Sequence, residues 1–429
     1  MSVRISELPD WLKTRLDAPV AIFGRASSGQ AANNLLESFG CECHVFDQGH
    51  EDEAWRSFGA EKAQQYKLVV CSPGFSADHP WLVAARSVGC EVVPELDLGA
   101  SLWRGPIVVI TGTNGKTTLT EFITSAFSSA GIEAYACGNI GRPISSLVAD
   151  DCNLEAIAVC EVSSFQAEIT KRLHADSLLW TNFDEDHLDR HKSLESYFKC
   201  KYTLTQLQRG DVFLFDESVK EFGERFNYAI PDEGLIDSSL DALELGVAGT
   251  VFETLPERNT YLIARALWLR MGLDEGELIE AANNFKKSPH RMELIVNQDG
   301  ISYWDDSKST NFHAVYGALK RFENPVVWIG GGKNKGGDLP RFVARVASSI
   351  SSAHLIGETS AELAAAFEEH GVPVRVYEDL EEAVAGANAM AESGSNILLS
   401  PGFASLDMFE GYSQRGEAFR RAISHLSDL

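Results

Sequence analysis

Short apolar runs, rich in β-branched residues, recur along the chain. Most end in a turn built of glycine, hydroxyl or charged residues and give way to a stretch with helical spacing. Continuous apolar runs of this kind predict strands buried on both faces, the setting that parallel sheets covered by helices provide. Residues 20–24, 43–47, 68–71 and 91–94 form a first group, and 107–110, 156–161 and 178–182 a second. The third comprises 301–304, 326–329, 354–356, 374–376 and 397–399. A helix is predicted over 312–321. The pattern is that of an α/β protein of three domains: a Rossmann-like domain over 1–98, a central P-loop domain over 99–287, and a Rossmann-like domain over 288–429.

The most specific segment is Ile107-Val108-Val109-Ile110-Thr111-Gly112-Thr113-Asn114-Gly115-Lys116-Thr117-Thr118. A buried strand, a glycine turn and a helix start form an anion site, because free backbone N–H groups and the helix dipole point at phosphate oxygens. Lys116 can reach the terminal phosphates and Thr117 can hold magnesium. The usual P-loop has glycine where this chain has Ile110. The segment predicts binding of a nucleoside triphosphate, with contacts from Gly112, Thr113, Asn114, Gly115, Lys116, Thr117 and Thr118.

Composition narrows the partners. A formal charge of −25 over 429 residues disfavours nucleic acid, which needs a basic face, but leaves small phosphorylated ligands open. No long uncharged apolar run is present, so no membrane association is expected. Met1-Ser-Val-Arg-Ile-Ser-Glu has no signal core. None of the eight cysteines forms a Cys-x-x-Cys pair, so they read as free thiols in a reducing cytoplasm. A monomer is expected.

Further candidates follow strand ends. Glu161 closes an apolar run and is followed by Val162-Ser163-Ser164-Phe165-Gln166. A carboxylate at that edge can bind the metal bridging phosphates, although a solvated strand end would read the same. In Thr181-Asn-Phe-Asp-Glu-Asp-His187-Leu-Asp189-Arg-His191, three carboxylates crowd His187, a density suited to a divalent cation. Asp184, Glu185 and Asp189 read equally well as solvated or capping residues. Asp305-Asp306-Ser307-Lys308-Ser309-Thr310-Asn311, Gly330-Gly-Gly-Lys-Asn-Lys335-Gly-Gly337 and Ser400-Pro-Gly-Phe-Ala-Ser405-Leu-Asp407, with Tyr412 and Arg415, suggest a second pocket at strand ends of the third domain. An elaborate helix cap and a mobile surface turn are the competing accounts of the first two. Gly24-Arg-Ala-Ser-Ser-Gly29 is a reduced dinucleotide turn, with Asp47 at the end of the next run.

Taken together these motifs resemble the Mur ligase family of peptidoglycan synthesis. Thr111–Thr118 matches its ATP loop, which accounts for Ile110; Glu161-Val-Ser-Ser-Phe-Gln-Ala-Glu168, Asp186-His-Leu-Asp-Arg190, Asp306-Ser-Lys-Ser-Thr-Asn311 and Gln414-Arg-Gly416 match others. The resemblance implies ATP-dependent ligation of D-glutamate to UDP-N-acetylmuramoyl-L-alanine through an acyl phosphate. It implies two Mg2+ ions, one held by Thr117 and Glu161, the other by His187 and a carbamylated Lys201. By the same resemblance Lys116, His187 and Lys201 serve catalysis, and Asn139, Ser163 and His187 serve the muramoyl substrate. Asn259, Arg291 and Asp306 would hold ribose and base; Lys308, Thr310, Lys335, Ser405, Leu406 and Tyr412 would receive glutamate; Ser27 and Asp47 would sit at the UDP site. The chain departs from the family at Phe403, where a smaller residue is usual, and at Leu262, where an asparagine meets adenine. A related amide ligase with another amino acid, or a non-catalytic nucleotide switch, would share the phosphate loop.

Overall fold

The computed structural model describes residues 3–49, 52–150, 152–334 and 338–426. Its strands form three sheets. The first contains β1 (Val20–Phe23), β2 (Cys43–Phe46), β3 (Leu68–Cys71) and β4 (Glu91–Pro94), all parallel in the order β2-β1-β3-β4. The second contains β5 (Ile107–Thr111), β6 (Ala134–Gly138), β7 (Ile157–Glu161), β8 (Ala175–Trp180) and β9 (Gln208–Phe215), parallel in the order β6-β7-β5-β8-β9. The third contains β10 (Glu293–Gln298), β11 (Ile301–Asp305), β12 (Val326–Gly331), β13 (Ile350–Ile356), β14 (Val374–Val376) and β15 (Asn396–Leu399). Its order is β10-β11-β15-β12-β13-β14, parallel except for the β10–β11 hairpin.

The expected α/β class with parallel sheets is therefore observed, with one antiparallel edge that apolar runs did not signal. By internal contacts the chain divides into two compact units. One comprises Met1–Asn182, Phe198–Val247 and Asn259–Phe285; the other comprises Phe183–Tyr197, Ala248–Arg258 and Lys286–Leu429.

The apolar runs are continuous because both faces of each sheet are covered. In the third sheet Val326, Trp328 and Leu398 pack with Leu339, Phe342 and Phe367 on one face. Val327, Ile329, Ile397 and Leu399 pack with Leu380, Val384 and Phe419 on the other. Each such fully buried aliphatic side chain contributes about 1.5–3 kcal/mol relative to exposure. In the first sheet Phe23 and Phe46 anchor an aromatic cluster with Phe58, Tyr66 and Trp81. There Gly29 is obligatory: a Cβ would stand 1.9 Å from the Gly24 carbonyl oxygen, so the helix Ser27–Ser38 can approach the turn only without a side chain.

Boundaries shift modestly. The run at 178–182 is the end of a longer strand, with Thr181 and Asn182 beyond it. Gly330 and Gly331 belong to β12 rather than to a loop, and the helix after Asn311 ends at Leu319. Among the described residues no helix is long and apolar enough to cross a membrane, and all eight cysteines are free.

Candidate active site

β5 is the middle strand of its sheet, and its carboxyl end delivers the phosphate loop. Ile110 pairs with Glu161 of β7 and Leu179 of β8, so it belongs to the strand and not to the loop. This is why a glycine is unnecessary there. The helix Lys116–Ser129 starts from Gly115 in the left-handed conformation, φ +79°. Gly112 has φ +146°, and a Cβ there would lie 1.9 Å from Thr181 Oγ1. Thr181 Oγ1 donates to the Thr111 and Asn114 carbonyls. Asn182 Oδ1 accepts from Asn114 N at 2.9 Å, its Nδ2 donates to the Asn114 carbonyl at 3.1 Å, and its own carbonyl accepts from Thr113 N at 3.0 Å. Thr181 and Asn182 thus shape the loop from the neighbouring strand. They stood within a motif already noted, yet only the β5–β8 pairing gives them this task.

Two ammonium groups converge on one loop carbonyl. Lys116 Nζ donates to the carbonyls of Gly112 at 2.9 Å and Thr113 at 2.8 Å, and Lys201 Nζ donates to the Gly112 carbonyl at 2.7 Å. Lys201 is buried on the helix Leu194–Tyr202. Two positive charges and a helix start therefore serve one loop, a strong local bias toward an anion.

Glu161, at the end of β7, is buried. Its Oε1 accepts from Asn139 Nδ2 at 2.7 Å, its carbonyl accepts from Asn139 N, and Oε2 has no hydrogen-bond partner among the described residues. An orphaned buried carboxylate oxygen is costly unless a cation or proton serves it, and that fits a metal ligand. Among the described residues no group of three or more His, Cys, Asp or Glu is placed to hold a metal.

Ser163 caps the short helix Ser164–Ala167 and shares a capping box with Gln166. Asn259 Nδ2 donates to Asp216 Oδ2 at 2.8 Å. Leu262 is buried on the helix Glu257–Arg270. Ser27 lies at the exposed start of its helix, and Asp47 accepts from Arg25 N and Gly49 N, closing the turn opposite.

The other unit brings its own candidates together. His187 has φ +52° and caps the helix Leu188–His191; its N–H donates to Asp186 Oδ1 at 2.8 Å, and its Nε2 lies 3.5 Å from Asp186 Oδ2. Asp186 Oδ2 also accepts from Asn311 Nδ2 at 2.9 Å. The predicted crowding of three carboxylates on His187 is only partly seen. Asp186 meets it, whereas Asp184 bonds His313, a partner far away in sequence. Burial would raise the Asp184 carboxyl, but the His313 hydrogen bond and charge more than offset this and hold it below its ordinary value.

β11, β15 and β12 are neighbours, so the loops following them share one edge. Gly402 N donates to the Ser309 carbonyl and Lys333 N to the Ala404 carbonyl. Lys308 Nζ sits 3.6 Å from the centre of the Tyr412 ring. Burial would raise the Tyr412 hydroxyl, but the Lys308 charge and hydrogen bond, with smaller help from Ser413 and Arg291, bring it below its ordinary value. Thr310 and Ser405 lie in these loops, Leu406 is exposed, and Lys335 lies outside the described residues. Arg415, fully buried, donates to Ser307 Oγ and to the carbonyls of Ser307 and Phe403, and so fastens two of the loops together. The Phe403 side chain itself fills the core against Phe312.

Asp306 is buried, accepting from Ser400 Oγ at 2.8 Å and from Met292 N at 3.2 Å. Burial pushes its carboxyl up to about 7, from an ordinary 3.8. Because the folded value is the higher one, its stabilising contribution is complete below about 3.8 and is lost as pH rises toward 7. In denaturant melts, the stability of the native chain minus that of Asp306→Asn should therefore fall from pH 5 to pH 7 and level off above. A constant difference across that window would contradict the buried acid.

Residues 110–232 match the Mur ligase middle domain, and residues 290–403 match the Mur ligase glutamate ligase domain. The UDP-N-acetylmuramoylalanine--D-glutamate ligase of Aquifex aeolicus (strain VF5) is 33% identical over 411 residues, covering 94% of this chain and 97% of that protein. The enzyme of that name from Alkaliphilus metalliredigens (strain QYMF) is 34% identical, with 95% and 98% covered. Among solved structures, the UDP-N-acetylmuramate-alanine ligase MurC of Thermotoga maritima superposes with a TM-score of 0.59 at 15% identity, covering 95% of this chain and 99% of that one. The MurF ligase of Thermotoga maritima, solved in complex with ADP, gives 0.56 at 14% identity, covering 86% and 97%. These two share the fold. On the domain matches and the full-length relatives, the chain belongs to the Mur ligase family.

Proposed function

We propose that the chain joins D-glutamate to UDP-N-acetylmuramoyl-L-alanine at the expense of ATP, as a step of peptidoglycan precursor synthesis. It is an ATP-dependent ligase that makes an amide bond. A carboxylate is a poor electrophile, so the L-alanine carboxylate first takes the γ-phosphoryl group, and the glutamate amine then displaces phosphate from the acyl phosphate. The observation that carries this reading is the phosphate loop with the Lys116 ammonium on the Gly112 and Thr113 carbonyls, at the sheet edge where Glu161 is buried. Bringing two anions together requires this positive charge.

In this reading Gly112–Thr118 cradle the phosphates and Lys116 offsets the charge on the transferred group. Thr117 and Glu161 hold one magnesium; Lys201, once carbamylated, is a ligand for a second ion, for which His187 is also proposed. Bound magnesium would neutralise phosphate charge. Asn139, which already fixes Glu161, serves the muramoyl substrate with Ser163 and His187. Arg291, Asp306 and Asn259 serve ribose and base. The loop edge bearing Lys308, Thr310, Ser405, Leu406 and Tyr412 receives glutamate, with Lys335 proposed beside them; lysines and hydroxyls suit its carboxylates. Ser27 and Asp47 serve UDP. The three separate sheets support a division into domains at 1–98, 99–287 and 288–429. We place the enzyme, as a monomer, in the cytoplasm, where nucleotide-linked precursors and ATP are found.

The purified chain, given Mg2+, ATP, UDP-N-acetylmuramoyl-L-alanine and single amino acids, should release ADP and phosphate with D-glutamate at a kcat/KM at least about a hundredfold above that with L-glutamate, diaminopimelate or lysine. Preference for either of the last two would move the protein to another branch of the family. Phosphate release independent of the muramoyl substrate would favour a nucleotide switch.

A further inference from the structure

On the phosphate-loop unit, away from the loop, the structure holds a cavity of about 730 Å³. Its walls come from the segments that enter the central sheet: Trp103 and Arg104 before β5, Lys171–His174 before β8, and 206–209 at the start of β9, together with Pro9 and Trp11. It therefore lies at the amino-terminal roots of these strands, whereas the phosphate loop is at the carboxyl end of β5.

The lining carries Arg104, Lys171, Arg172, His174 and Arg209 and no acidic side chain. This inverts the sign of a chain whose formal charge is −25. Two of these cations have outside partners: Arg104 meets Glu7 at 3.0 Å, and Arg172 meets Glu91 at 2.6 Å while lying over the Trp11 ring. Lys171 and Arg209 have no carboxylate partner among the described residues. His174 is held below its ordinary value by burial first and then by the Arg209 charge, which the Asp176 carboxylate partly offsets.

The wall is also rigid. Buried Asp97 accepts from Lys171 N at 2.7 Å and Leu173 N at 2.9 Å, and Asp176 accepts from Ile107 N at 2.8 Å. Trp103 is locked by its Nε1–H on the Ala156 carbonyl. With Arg104 and Arg172 paired, Lys171 and Arg209 leave uncompensated positive charge on this fastened wall, and a concave basic site concentrates field. Guanidinium forks and an ammonium are the donors that match phosphate oxygens.

We infer that this cavity is a binding site for a small molecule bearing two or more phosphate groups, separate from the nucleotide loop. Trp11 and Trp103 supply the readout. The full chain is labelled with 5-fluorotryptophan, Trp11→Phe and Trp103→Phe assign the two signals, and inorganic pyrophosphate is titrated. A saturable shift of one or both signals is expected in the native chain and in Lys116→Ala, which impairs the phosphate loop. In Lys171→Glu/Arg209→Glu the affinity should fall about tenfold or more, with ligase turnover unchanged; the milder Arg209→Gln should give a smaller loss in the same direction. The site is refuted by the absence of a saturable shift, by an unchanged shift in the charge-reversed chain, or by loss of the shift in Lys116→Ala alone. An equal response to citrate would reassign the ligand to carboxylates and overturn the phosphate specificity.

Discussion

Replacing Lys116 by alanine is expected to lower kcat by on the order of a thousandfold while leaving the fold intact. The phosphoryl group meets a carboxylate that is itself negative, so the barrier is largely electrostatic. Lys116 stands at the first turn of the helix Lys116–Ser129, with Nζ on the Gly112 and Thr113 carbonyls. Its charge is therefore fixed before substrate arrives and needs little reorganisation in the transition state. Two of its hydrogen bonds run to the loop carbonyls of Gly112 and Thr113, so truncation chiefly removes positive charge at the phosphate loop. Thermal melting should shift little, and the loss should appear in kcat more than in the KM for the muramoyl substrate. Lys116→Arg should not restore activity, because a planar guanidinium cannot occupy the same point between two carbonyls. A Lys116→Ala enzyme with near-native turnover would dismiss the phosphate-loop assignment.

What could be read in the sequence follows from what each strand buries. β3, β4 and β14 lie where their apolar runs place them, and β5 runs one residue further, to Thr111. β6, Ala134-Tyr-Ala-Cys-Gly138, is only half-buried along most of its length and has no β-branched residue, so it lacks the mark of the other strands. β9 opens with Gln208-Arg-Gly-Asp211, partly exposed at the sheet edge; its end, Val212-Phe-Leu-Phe215, is an apolar run like the others, yet it is not among the expected strands. β10, Glu293-Leu-Ile-Val-Asn-Gln298, is a half-exposed antiparallel edge whose three apolar residues are flanked by polar ones, so it lacks the longer run of a strand buried on both faces.

The site was legible where chemistry is local. The phosphate loop is contiguous, and Glu161 ends a strand that pairs with β5. Links between distant segments were not: Asp306 to Ser400 depends on β11 and β15 being neighbours, and Asp184 to His313, Asp186 to Asn311 and Arg415 to Ser307 join segments that no strand pairing relates. Lys201 shows the limit most plainly. Its neighbour Lys199 shares its helix and composition, and only family resemblance separates the two. The structure then buries Lys201 and places its ammonium on the Gly112 carbonyl.

That placement makes Lys201→Ala the second large-effect prediction. If the ammonium loses a proton and the neutral Nζ then adds to carbon dioxide, forming an N–C bond and releasing a second proton, the side chain becomes an anionic carbamate able to bind a cation. Removing it should lower kcat by on the order of a thousandfold, since the proposed metal ligand is lost. Acetate, a short free carboxylate that can enter the space left, should return about a tenfold gain, saturating with concentration. An unmodified ammonium would behave differently. It would act by holding the Gly112 carbonyl, and its loss would be mended by methylammonium instead. The two rescues separate the chemistries without depending on the size of the initial loss. Depleting bicarbonate should also slow the native enzyme while leaving the acetate-rescued variant unaffected. Rescue by methylammonium with no response to acetate would remove the carbamate and leave Lys201 as a positive charge beside the phosphate loop.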